Sequence, residues 1–141
     1  MKLTKSNIKA LKRALNINPD WTTLIPSKDP VEPSRRLYVV VRNDLLPGLQ
    51  ISQSIHAKDE FTRDFGDIEE KWGRDSNTII VLSGSKEQLY SIIGKASLKE
   101  IRYSIFKEPQ LNYEVTAIAL EPCEVSVEIV KGLSLALKDC S

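Results

Sequence analysis

The sequence predicts an α/β fold, a three-layer α/β/α sandwich on a four-stranded mixed sheet, behind a basic helix and a proline-rich connector. Two observations lead there. Short β-branched apolar runs alternate with segments of helical periodicity, which implies crossover connections and a largely parallel sheet. The last two strands are separated only by the hairpin-length Lys107–Glu114 link, so one strand is expected to run antiparallel. The order along the chain reads α-β-α-β-α-β-β-α. A length of 141 residues, 41% hydrophobic and 28% charged, suits one domain with a real core and excludes disordered and fibrous classes.

The first helix is expected within residues 1–18, with Ser6 as N-cap and Ile8, Leu11 and Leu15 on one stripe. It holds five basic side chains and no acidic one, although the whole chain has a net charge of only +1. Such a segment serves either as a docking element, through its apolar stripe, or as a phosphate-contacting arm. Residues 19–35 contain four of the seven prolines and read as a linker, with Trp21 and Leu24 able to pin it down. The domain proper is expected over 36–141.

Leu37–Arg42 (LYVVVR) has the unbroken apolar pattern of a buried strand. Pro47-Gly48 reads as a turn, and Leu49–Phe65 as a helix that buries Ile51, Ile55, Ala57, Phe61 and Phe65. Trp72-Gly73 reads as a packing turn before a strand at Asn77–Leu82. Ser85 caps a helix over Lys86–Ala96, with Leu89, Ile92 and Ile93 inward. Ile101–Phe106 and Val115–Glu121 are the third and fourth strands, and Pro122 opens a last helix through Leu137. If that segment is helical, Cys123 and Cys140 stand about 25 Å apart, too far to bridge. Two unpaired thiols and the absence of a secretory or membrane-spanning apolar block point to the cytoplasm, with no membrane partner.

Ligands of open α/β sheets sit outside the carboxyl ends of the strands, which directs attention to 43–50, 83–85 and 107–112. No phosphate-binding glycine loop or metal-ligand cluster appears, so no cofactor or metal is expected. His56 is the only histidine. Ser52, His56 and Glu60 share a helical stripe, but a serine inside a regular helix lacks free backbone donors for an oxyanion, so this reads as a solvated face. Cys123, at a helix start, reads as a structural thiol. Glu108 and Thr116 come from neighbouring elements and could converge.

Val40-Val41-Arg42-Asn43-Asp44-Leu45, then Gly48 and Gln53-Ser54-Ile55-His56-Ala57, resembles the type II peptidyl-tRNA hydrolase family over roughly Arg36–Leu137. That resemblance implies metal-independent hydrolysis of the ester joining a peptidyl or aminoacyl group to tRNA, with tRNA as partner. It implies a site in which Glu108 stands at the family's aspartate, Thr116 at its threonine, and Gln53 and His56 in its helix motif. Arg42, Asp44, Gln53 and Lys107 would bind substrate, and Glu108, Thr116 and His56 would carry catalysis. Leu49 occupies the position of a lysine important in that family, and Glu108–Asn112 replaces a longer loop. The alternative is therefore a catalytically inactive module on the same fold that recognises tRNA, a nucleotide or a protein partner. A homodimer, with the first helix swapped across the linker, is compatible with either reading.

Overall fold

The structure, a computed structural model of the chain, describes residues 4–14 and 30–138. The chain divides into two units, Met1–Pro30 and Val31–Ser141. In the first, helix α1 spans Lys5–Ala14. Thr4 caps it in place of Ser6: its Oγ1 accepts from the Asn7 amide at 3.1 Å, which places Ser6 inside the first turn. Residues 15–18 of the expected helix, residues 19–29 of the connector with Trp21 and Leu24, and Cys140 lie outside the described residues.

The second unit is a mixed α/β fold with, among the described residues, five strands rather than four. They are β1 (Leu37–Arg42), β2 (Ile79–Gly84), β3 (Tyr103–Glu108), β4 (Glu114–Leu120) and β5 (Ser134–Leu135), in the order β3-β4-β1-β2-β5. The middle place of β1 explains its unbroken apolar run, since all six of its residues are buried. Only β1 and β2 pair in parallel; β4 runs antiparallel to both β1 and β3, and β5 antiparallel to β2. The expectation of a largely parallel sheet is thus corrected. The chain returns from β3 through a tight turn, so β4, wedged between β3 and β1, opposes both neighbours.

Helix α2 (Pro47–Asp64) begins at Pro47, which is preorganised for the first helical position rather than breaking the chain. A separate helix α3 (Gly66–Asp75) takes the place of the expected Trp72 turn. Trp72 is buried there and donates its indole N–H to the Thr78 carbonyl at 3.0 Å. Helix α4 (Lys86–Leu98) has the anticipated cap, closed by a reciprocal bond between Ser85 and Gln88. The last helix is a correction: α5 covers only Glu124–Val130. Gly132 then adopts φ +89, a left-handed turn that favours glycine, and the chain continues into β5. The 25 Å separation inferred for Cys123 and Cys140 loses its premise with that helix.

Two apolar cores lie on opposite faces of the sheet. Tyr38, Val40, Leu82, Ile118 and Leu120 pack under Leu89, Ile92 and Ala96 of α4 and Val130 of α5. Leu37, Val39, Val41, Ala117 and Ala119 pack under Ala57 and Phe61 of α2 and Trp72 of α3. Near the start of the second unit, Arg35 makes a two-pronged ion pair with Asp75, at 2.8 and 2.9 Å, which ties the Pro33–Arg35 turn to the end of α3.

Candidate functional site

Helix α2 is where the apolar pattern and the packing part company. Ile51 and Ile55, expected inside, are more than half exposed, while Gln50, Gln53 and Ser54 are buried. The buried stripe is 50, 53, 54, 57 and 61, a regular helical spacing whose first half is polar. Polar side chains in that position require partners, and those of Gln53 define the site.

Gln53 is their centre. Its Nε2 donates to Glu108 Oε2 at 2.7 Å, and its Oε1 accepts from Thr116 Oγ1 at 2.5 Å. An ionised Glu108 can only accept, so it fixes the Gln53 amide with N–H₂ toward the carboxylate and Oε1 toward the fully buried Thr116, whose hydroxyl donates to it. The second Glu108 oxygen, Oε1, accepts from the Gln110 backbone N–H at 3.1 Å, where Glu108 caps the Pro109–Leu111 turn. These donors hold the Glu108 carboxyl below its ordinary value, first the Gln110 N–H, then the Gln53 amide, with nearby His56 adding to them. His56 is exposed and lies flat on Phe106, ring centres 4.5 Å apart and planes 19° from parallel.

A backbone irregularity aims Thr116 into this position. Phe106 pairs with Ala117 and Lys107 with Val115, so Thr116 is an extra residue in β4 with no partner in β3. Its consequence is visible in the cores. Val115 packs under α4 and α5, whereas Ala117, two residues on, packs under α2 and α3. Strict alternation would send both to one face. The bulge breaks the alternation and lets Thr116 meet Gln53 on the α2 side.

Leu45, Leu49, Ser52, Gln53, His56, Glu108, Gln110 and Leu111 together line a cleft of about 360 Å³ between the 43–50 and 107–112 segments. Gln50 braces its mouth by donating from Nε2 to the Leu45 carbonyl at 2.7 Å. A larger cavity, about 830 Å³, lies at the other end of the strands around Arg35, Trp72, Arg102 and Glu121. It holds the Arg35–Asp75 pair and none of the predicted site residues, and it is not at the carboxyl end of β1, where ligands of such sheets collect.

Of the residues singled out in the sequence, Gln53, His56 and Glu108 line the cleft and Thr116 stands directly behind it. Arg42, Asp44 and Lys107 do not line it. The Arg42 guanidinium is buried and spent: Nε and Nη2 grip Asp44 at 2.9 and 2.6 Å, and Nη1 meets Glu114 at 2.6 Å. Lys86 closes the cluster at 2.8 Å from the other Glu114 oxygen. These bonds raise the Arg42 pKa, through Asp44 first and then Glu114, and hold Asp44 and Glu114 below their ordinary values. The Ser52–His56–Glu60 stripe forms no triad, since Ser52 donates to the Leu49 carbonyl at 3.1 Å and Glu60 pairs with Arg63 at 3.0 Å. The cleft residues missed in the sequence are Leu45, Gln110 and Leu111; only their position in the flanking loops pointed to them. Among the described residues, no group of three or more His, Cys, Asp or Glu is placed to hold a metal ion.

No family model matches the chain, and no curated protein matches it in sequence. It does resemble a solved structure of a protein of unknown function from Agrobacterium tumefaciens strain C58, at TM-score 0.56 and 16% identity, over 71% of this chain and 96% of that one. At that identity the likeness shows a shared fold. No helix among the described residues is long and apolar enough to cross a membrane.

Proposed function

We propose that this chain is a carboxylic-ester hydrolase of the peptidyl- or aminoacyl-tRNA type, acting at the Glu108 cleft in the cytoplasm. The observation that supports it most is the convergence of Gln53, His56, Glu108 and Thr116, from three separate elements, on one cleft. In this reading a water bound at Glu108 gives up a proton to the carboxylate as its oxygen attacks the ester carbonyl. The new C–O bond forms, the bond to the ribose 3′-oxygen breaks, and that oxygen leaves with a proton. The products are a free carboxylic acid and a 3′-hydroxyl. Gln53 holds the carboxylate in place, Thr116 holds Gln53, and His56, which lines the same cleft, donates to the leaving oxygen.

A second reading is favoured by one observation: no lysine or arginine lines the cleft among the described residues, and Leu49 occupies the lysine position. That fits a module which binds tRNA, a nucleotide or a protein partner without catalysis. Release of N-acetyl-aminoacyl groups from tRNA separates the two. The hydrolase reading expects turnover that Glu108→Gln lowers by about 10²–10⁴, the usual contribution of a general base. Absence of release at high protein concentration, with tRNA still bound, would replace it with the second.

A further inference from the structure

We infer that the cleft receives the acyl side of its ligand, selecting neutral acyl groups with apolar side chains, and that phosphates stay outside it. The identification of that acyl group as part of an ester rests on the hydrolase reading above; the preference itself rests on the lining. Three leucines, Leu45, Leu49 and Leu111, face a single carboxylate. Leu49 and Leu111 are 45% and 37% exposed, so apolar surface stands open to solvent beside the reacting group. A volume of about 360 Å³ is at the small end of ligand sites, roughly 300–1,000 Å³, and fits an N-acylated amino acid better than a nucleotide.

The charges point the same way. Glu108 is held by an amide and a backbone N–H, neither of which cancels its charge, and no lysine or arginine lines the cleft among the described residues, so an anion entering it meets the carboxylate with only His56 to offset the repulsion. Arg42, just before the 43–50 segment, is consumed by Asp44 and Glu114, and Lys107, beside Glu108 in β3, does not line the cleft. Gln53 is likewise committed, to Glu108 and Thr116. A side chain that buries methylenes against the leucines gains selectivity, since each methylene in an apolar pocket changes preference roughly 10–200-fold.

The test measures binding and turnover separately on the full chain. Binding is followed through the His56 ring proton by NMR, with N-acetyl-leucinamide, N-acetyl-glycinamide and AMP as probes. N-acetyl-leucinamide is expected to bind at least about tenfold more tightly than N-acetyl-glycinamide, and AMP is expected not to displace it. Equal binding of the two amides, or displacement by AMP, overturns the inference. Leu49→Lys, at an exposed helix position, should admit AMP and weaken the leucyl preference; a variant of unchanged melting temperature that still excludes AMP also overturns it. Turnover is read with the 3′-N-acetyl-leucyl ester of adenosine. The leucyl preference without turnover keeps the acyl site and overturns the hydrolase reading, whereas turnover indifferent to leucyl or glycyl does the reverse.

Discussion

Glu108 and Glu114 are paired across the β3–β4 ladder, yet they meet opposite environments. Glu114 accepts from Arg42 and Lys86, so two cations balance its charge and two side chains immobilise it. Glu108 accepts from the Gln53 amide and the Gln110 backbone N–H. Both are held below their ordinary values, but by different means: Glu114 by the cationic donors Lys86 and Arg42, Glu108 chiefly by neutral hydrogen-bond donors, with His56 adding to them. A carboxylate neutralised by cations has little left to offer a ligand, whereas one held by neutral donors keeps its charge and its remaining lone pairs. The bulge at Thr116 lies between the two pairing registers, and the carboxylate beside the cleft is the one that Thr116 supports through Gln53.

The largest expected effect tests that difference directly. Glu108→Gln should lower turnover of an N-acetyl-aminoacyl ester by about 10²–10⁴, while Glu114→Gln leaves kcat within about threefold; equal losses in the two variants would erase the distinction. Next is Thr116→Val, which keeps the shape and removes the hydroxyl. It should lower kcat by about tenfold with KM unchanged, in the range typical of groups that orient a site residue. Thr116→Ser should restore it, because a serine hydroxyl still reaches Gln53. Loss of stability with intact kcat would make Thr116 a packing residue instead.

The pH dependence separates the pair less sharply. Asp44, Glu108 and Glu114 all have folded values below their ordinary 3.8, 4.5 and 4.5. A depressed carboxylate adds stability that is present above the ordinary value and lost as pH falls through the folded one. Melting temperature should therefore fall as pH drops below about 4.5, and the acid limb of kcat should lie below that same value. An acid limb at or above it would mean that another group is the base. The smallest effect is ionic. Raising salt to about 1 M, where screening acts over roughly 3 Å, should shrink the melting-temperature gap between wild type and Glu114→Gln. The gap for Glu108→Gln should stay constant, since neutral donors hold that carboxylate.

The alternation of β-branched runs and helices was enough to place β1 through β4 and α4 within a few residues, because each has an unbroken apolar run, a period or a cap that acts locally. The same holds for Gln53 and His56, whose one-turn spacing puts them on one side of α2 whatever the helix packs against. Helix α3 and the early end of α5 were not legible. Their signals, Trp72 within a polar stretch and Gly132 within an apolar one, become a helix and a stop only once Trp72 finds the core and β2 offers Val81 and Ser83 an edge to pair. Nor could the sequence show that Ile51 and Ile55 face out while Gln50 and Gln53 face in.

By itself, then, the chain determined an α/β fold with a polar helix face next to the ends of the strands. Tertiary structure decided which carboxylate is free and which cation is spent. Arg42 could have served a ligand as well as a carboxylate until β4 brought Glu114 to it. Thr116 was singled out as a site residue, but only its pairing with β3 left it over as a bulge that turns it toward Gln53. Hydrogen-bond and charge partners 63 and 72 residues apart in sequence are settled by the register of a sheet, and no local pattern encodes that register.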